Sequence, residues 1–151
     1  MNYDLLKRTL LSLTEGERDI IALMATMACE VFQADTRCSW AGFYRVIAPR
    51  LLKIGPYQGS HGCLTIAFHQ GVCGAAARTG TAQLVPNVEE FDEHIACSSS
   101  TKSELVLPVF DKNKHLIAVF DLDSEALAAF TQADVLFYQD ILDTLFANVS
   151  L

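Results

Sequence analysis

Apolar residues recur along this chain first at the spacing of a helix and then at the spacing of a strand. Leu5, Leu6, Leu10 and Leu13 share one helical face and predict a short amino-terminal helix. Thr14-Glu15-Gly16-Glu17 has the form of a capping box, in which hydroxyl and carboxylate each satisfy a free backbone donor. It predicts the start of a second helix whose broad apolar face is Ile20, Ile21, Leu23, Met24, Met27, Ala28 and Val31. Cys29 reads as filling on the flank of that helix. From Cys38 the period shortens to that of a strand. Ser39 to Val46 is aromatic-rich and extended, with Trp40, Gly42 and Tyr44 on one face. Residues 48–50 read as a turn, Leu51 to Ile54 as a returning strand, Gly55 to Gly59 as a loop and Cys63 to Ile66 as a further strand. Gly71 to Arg78 predicts a short helix, and Gln83-Leu84-Val85 a brief strand stopped by Pro86. Asn87 caps a helical turn through Val88-Glu89-Glu90.

Two later runs, Glu104 to Phe110 and His115 to Asp123, face one another across Asp111-Lys112-Asn113-Lys114, whose residues suit a hairpin turn. The second run puts Asp121 and Asp123 on one face. Thr131, with Asp134 at the third helical position, caps a long carboxy-terminal helix carrying Leu136, Phe137, Ile141, Leu145 and Phe146. Strands do not alternate strictly with long helices, so a parallel sheet is not indicated. The order predicts a single α+β domain over residues 1–151, with one central antiparallel sheet flanked by amino- and carboxy-terminal helices.

Composition narrows the functional classes. With 51% hydrophobic and 19% charged residues, 151 residues make a globular chain able to bury about 70% of its unfolded surface. A net charge of −7 and no basic stripe argue against a nucleic-acid partner. No apolar run approaches a membrane span, and Asp4, Lys7 and Arg8 interrupt any signal-peptide core. A cytoplasmic protein is expected, in which the five cysteines (29, 38, 63, 73 and 97) rest as thiols and a disulfide would be transient and redox-active.

The candidate chemistry lies around Cys97, in the small polar loop Ile95-Ala96-Cys97-Ser98-Ser99-Ser100, with Glu104 at the mouth of the next strand. Zinc is not indicated: there is no C-x-x-C, no H-x-x-x-H, and the His61/Cys63 pair has no second pair to complete it. Thiol redox chemistry fits better. A thiolate attacks an electrophile, a second thiol resolves the product and a reductant restores both; Cys63, Cys73 and Cys97 lie in or beside loops, and spacing does not say whether Cys63 or Cys73 resolves. Backbone N–H groups around Ile95, Ala96 and Cys97 would favour the thiolate. Glu104, Asp121 and Asp123, if they converge, raise one another's pKa and keep a proton to donate. Trp40 would wall a pocket for a small apolar group.

The runs S-W-A-G-F-Y, G-P-Y-Q-G, G-V-C-G-A-A, H-I-A-C, S-E-L-V-L-P-V and D-L-D-S, in this order from Ser39 to Ser124, resemble the free methionine-(R)-sulfoxide reductases, which are stand-alone GAF domains. The resemblance implies a GAF-like fold and reduction of free, not protein-bound, methionine sulfoxide. It implies Cys97 as nucleophile passing through a sulfenic acid, Cys63 as main resolving thiol and Cys73 as a third redox cysteine. Glu104, Asp121 and Asp123 would bind and protonate substrate, with Trp40, Tyr44, Ile95 and Ala96 completing the binding set. It also implies no bound cofactor or metal, thioredoxin as external reductant and a homodimer. Ser98 and Gly62 depart from the family, which carries an acidic residue and alanine there. The rival expectations are a sensory module binding a small ligand, or a thiol redox sensor without catalysis.

Overall fold

Alternating side chains on three adjacent strands divide the molecule into two unequal interiors. In the computed structural model, which describes residues 1–151, helices α1 (Tyr3–Leu13) and α2 (Ile20–Ala34) precede strands β1 (Trp40–Ala48), β2 (Leu51–Gly59) and β3 (Thr65–Ala67). Helix α3 (Gly71–Thr79), strand β4 (Gln83–Val85) and a 3₁₀ turn at Val88–Glu90 follow, then strands β5 (Ser103–Phe110) and β6 (Leu116–Ser124) and helix α4 (Gln132–Leu145). The strands form one sheet in the order β3-β2-β1-β6-β5-β4, antiparallel throughout. This is the α+β arrangement that the hydrophobic pattern predicts. No helix is long and apolar enough to cross a membrane.

One face of the sheet presents Ala41, Phe43, Leu105, Leu107, Phe120 and Leu122, which pack with α1, α2 and α4 into an interior of 23 buried residues. The opposite face presents Trp40, Tyr44, Val106 and Val119, which pack with Val72, Cys73 and Ala76 of α3 into a second interior of 13. The second face therefore has fewer apolar partners to cover it, and its uncovered part is where space for a ligand remains. The period of two that sets inward against outward residues thus decides which side chains meet helices and which meet the cavity.

The larger interior is tied together by one ionic network. The Arg37 guanidinium, just after α2, donates to both Asp134 oxygens (2.8 and 2.9 Å) at the start of α4 and to both Asp35 oxygens (2.8 Å each). Tyr3 of α1 donates to Asp134 (2.6 Å) and Tyr138 of α4 to Asp35 (2.8 Å), so three helices share the cluster. Asp134 also accepts from the Thr131 N–H (2.8 Å), completing the capping box expected from sequence. Burial alone would raise the Asp134 pKa, but the hydrogen bonds from Arg37, Tyr3 and Thr131 outweigh it and hold the carboxyl at about 2.

Three local expectations are corrected. Thr14 ends α1, its hydroxyl and N–H both donating to the Leu10 carbonyl (2.7 and 3.0 Å); α2 is capped instead by Asp19, whose carboxylate accepts from the Ala22 N–H. Gly55 to Gly59 is not a loop but the second half of β2. Between the pairs Gly42↔Tyr57 and Tyr44↔Ile54 the register shifts, so Gly55-Pro56 is accommodated in a bulge, away from the residues of β2 that pair with β3. Cys63 precedes β3, which begins at Thr65.

Replacing Asp134 with Asn removes charge from this network without changing shape. The expected result in urea unfolding near neutral pH is a loss of roughly 1–3 kcal/mol. Because the folded-state pKa is depressed, the contribution of Asp134 is present above its ordinary value, about 3.9, and fades as pH falls toward about 2. The two proteins should therefore converge in stability over that acid window.

Candidate active site

Three strands in register carry one wall of a cavity. Trp40 of β1 stands opposite Asp123 of β6, and Asp123 in turn stands opposite Glu104 of β5. Asp121, two residues earlier on β6, faces the same way. The first turn of α3 closes the cavity from above with Gly71, Val72 and Cys73, and the 93–101 loop covers it from the side with His94, Ile95, Cys97, Ser98, Ser100 and Thr101. The enclosed volume is about 70 Å³.

The Cys97 loop is held at several points. The Gly71 N–H donates to the Glu93 carbonyl (2.6 Å), and Arg78 of α3 pairs with the Glu93 carboxylate (3.0 Å) while also donating to the Phe68 carbonyl (2.5 Å). Ile95 lies against Gly71, which has a φ of +66° and whose missing Cβ would come within 2.9 Å of the Ile95 side chain. At the far stem the Lys102 N–H donates to the Ser124 carbonyl (2.8 Å). Cys97 is covalently joined to Cys63, with the two Cα atoms 5.3 Å apart. Its N–H donates to the Ile95 carbonyl (3.2 Å), so in this disulfide form that donor is not part of an N–H cradle for the sulfur.

The carboxylates sit in a place hostile to charge. Glu104 and Asp121 are only 7% and 4% exposed, and the cavity lining includes Glu104, Asp121, Asp123 and Glu125 but no lysine or arginine. Burial, and then the neighbouring Asp121 and Asp123 charges, push the Glu104 carboxyl well above the usual range. Burial followed by Asp121 does the same to Asp123. Asp121 is pushed up by burial to about 6, the adjacent Glu104, Cys73 and Asp123 groups opposing the rise. Its Oδ1 is buried and has no hydrogen-bond partner. The Cys73 thiol, buried beside the same acids, is pushed well above the ordinary thiol value by burial first and then by those charges. It remains a neutral thiol, unlike an activated nucleophile.

An aromatic stack forms the remaining wall. Trp40 stacks with Tyr44 (centroids 5.7 Å, 23°) and with Tyr57 (5.1 Å, 17°), and its indole N–H donates to the Ser60 carbonyl (2.8 Å). Gly62 is pressed onto this stack: a Cβ there would come within 2.8 Å of the Tyr44 hydroxyl and 3.3 Å of Trp40. Tyr44 and Trp40 thus fill the space that a side chain at 62 would need.

Of the residues singled out from sequence, Trp40, Tyr44, Cys73, Ile95, Cys97, Glu104, Asp121 and Asp123 all line the cavity, with Cys63 joined to it through the disulfide. Ala96 is exposed and lies outside the lining. Cys73 stands in the first turn of α3, the short helix expected there. Sequence reasoning missed Glu125, which continues the alternation of Asp121 and Asp123, and Tyr57, which only the β2 register brings to Trp40. It also assigned no role to His61 and His94, which line the cavity; burial lowers the His94 pKa.

The GAF domain family model matches residues 16–147. The free methionine-R-sulfoxide reductase of Escherichia coli (strain K12) is 37% identical over 132 residues, spanning 87% of this chain and 79% of that protein. The X-ray structure of free methionine-R-sulfoxide reductase from Neisseria meningitidis, in complex with its substrate, superposes with a TM-score of 0.90 at 35% identity, covering 95% of this chain and 85% of that one. The fRMsr of Staphylococcus aureus, also in complex with substrate, gives a TM-score of 0.88 at 34% identity, over 97% and 94% of the two chains.

Raised carboxyl pKa values make the fold less stable as pH climbs from the ordinary carboxylate range, about 4, toward the folded-state values. Glu104→Gln removes one of these acids. Chemical denaturation at a series of pH values is expected to give a shallower loss of stability for this variant than for the unaltered protein. An infrared signal of a protonated carboxylic acid near neutral pH should diminish with it.

Proposed function

This chain is a member of the GAF domain family, in the branch of the free methionine-R-sulfoxide reductases, and from that membership we propose that it reduces free L-methionine-(R)-sulfoxide. The observation that carries the reading is the Cys63–Cys97 disulfide at the rim of a cavity walled by Trp40, the buried carboxyl groups of Glu104 and Asp121, and Asp123. In this proposal a Cys97 thiolate attacks the sulfoxide sulfur while a protonated carboxyl, Glu104 or a neighbour sharing its proton, donates to the sulfoxide oxygen. The sulfur–oxygen bond of the substrate breaks, the oxygen ends on Cys97 as a sulfenic acid, and methionine leaves as a thioether. Cys63 then attacks the Cys97 sulfur, the S–S bond forms and the oxygen departs as water. Exchange with an external dithiol, thioredoxin, breaks that bond and restores both thiols.

Three different contacts around the substrate sulfur support discrimination between epimers. Trp40 offers an apolar face to the methyl group, the carboxyl wall faces the oxygen, and Cys97 fixes the direction of attack. A cavity with four carboxylates and no lysine or arginine suits the ammonium of a free amino acid. Its small volume beneath a pinned loop suits a free amino acid better than a peptide. Cys73 serves here as a neutral thiol beside Asp121, while Cys63 does the resolving. A thiol-reducing cytoplasm is the compartment in which such a disulfide turns over, and a homodimer is the assembly carried from the family resemblance.

The decisive assay couples turnover to NADPH oxidation through thioredoxin and its reductase, with the R and S epimers of free methionine sulfoxide and a peptide-bound sulfoxide supplied separately. Turnover on the free R epimer alone is expected, and equal rates on all three would sink the assignment. Cys97→Ser is expected to abolish activity. Cys63→Ser should release close to one methionine per chain in a single turnover but recycle slowly. A disulfide formed with peroxide, without methionine release from the sulfoxide, would make the protein a redox sensor instead.

A further inference from the structure

We infer that Cys73, Glu104 and Asp121 together form a binding site for a thiophilic divalent cation, zinc above all, at the buried end of the cavity. One sulfur and two carboxylate oxygens come from three separate elements, α3, β5 and β6, and all lie within 4.8 Å of one another. All three residues are buried. An independent sign of a missing partner is Asp121 Oδ1, which belongs to a side chain only 4% exposed and accepts no hydrogen bond. The cavity lined by Asp121 supplies no cationic lysine or arginine to balance its carboxylates. The ligand spacing is unlike any linear zinc motif, which is why the sequence gives no metal signature; only the packing of α3 on the β5–β6 hairpin brings the donors together.

The donor set selects the ion. One thiolate with two carboxylates matches zinc, which takes mixed sulfur and oxygen ligands in a four-coordinate shell. Magnesium and calcium prefer all-oxygen shells of six or more and gain little from a sulfur. Asp123 or a water from the cavity would complete the shell. On binding, the Cys73 S–H bond and the O–H bond of the protonated carboxyl break, metal–sulfur and metal–oxygen bonds form and the protons leave to solvent, with no change of oxidation state. A cation held there fills the carboxyl wall and excludes organic ligands from it, so the site is a point of reversible metal inhibition for the reductase proposed above. Metal binding itself does not depend on that reading.

The test uses the full chain in its oxidised form, where the Cys63–Cys97 disulfide removes both sulfurs as ligands. After chelator treatment, titration with Co²⁺ is expected to produce a thiolate-to-cobalt charge-transfer absorption that saturates at one ion per chain. Zn²⁺ should displace it stoichiometrically, whereas excess Mg²⁺ should not. Cys73→Ser should lose the charge-transfer band, Glu104→Gln and Asp121→Asn should each weaken Co²⁺ binding at least about tenfold, and Cys29→Ser and Cys38→Ser should leave the band intact. If Cys73→Ser does not fold by circular dichroism, the two isosteric carboxyl variants decide. Absence of the band in the unaltered protein, its survival in folded Cys73→Ser, or undiminished affinity in both carboxyl variants would overturn the site.

Discussion

Everything at the cavity follows from one row of side chains across the sheet. Trp40, Asp123 and Glu104 occupy facing positions on β1, β6 and β5, so their common orientation is fixed by hydrogen-bond register and not by any contact among themselves. A slip of one residue in either pairing would turn that strand's members of the row into the helical interior. The apolar residues alternating with them, Ala41, Leu122 and Leu105, each with no exposed surface, make such a slip prohibitive. The packing of the larger interior therefore sets the placement of the acids on the opposite face.

The division of labour between the two interiors has an energetic side. The Arg37 network joins three helices with satisfied charge-assisted hydrogen bonds, and it holds the Asp134 carboxyl ionised. On the opposite face the acids lack any cation and are held toward neutrality by burial. One half of the molecule thus carries favourable electrostatics while the other tolerates unfavourable electrostatics, the general pattern of a site kept strained by a stable scaffold. Helix α3 links the two regimes of order: its first turn supplies Cys73 to the acids, and its last turn supplies Arg78 to the loop that carries Cys97.

Much of the fold was legible because local signals agreed with the global pattern. Asp111-Lys112-Asn113-Lys114 marked the hairpin, Thr131 and Asp134 marked the last helix, and alternation placed Asp121 with Asp123. What failed were signals with a nearby competitor. Thr14 had the form of a cap, but its hydroxyl closes the preceding helix and Asp19 takes the capping role. Gly55-Pro56 read as a loop because a bulge cannot be told from a turn without knowing the partner strand. The thiol pair and the carboxyl wall were visible as residue types and through the family resemblance, whereas the meeting of Cys73 with Asp121, and of Tyr57 with Trp40, depends on contacts between elements remote in sequence. Gly62, a departure from the family, sits where an added Cβ would press on the Tyr44 hydroxyl and the indole.

The bond between Cys63 and Cys97 closes a segment with a sequence separation of 34, which contains β3, α3 and β4. In the chain-entropy account a link of that span destabilises the unfolded ensemble by between about 3 and 4 kcal/mol. In the proposed reaction each cycle would then carry the molecule between a cross-linked and a looser polymer. Its resistance to heat and proteases would rise and fall with the ratio of oxidant to reductant around it, so that a chain starved of reductant survives longest.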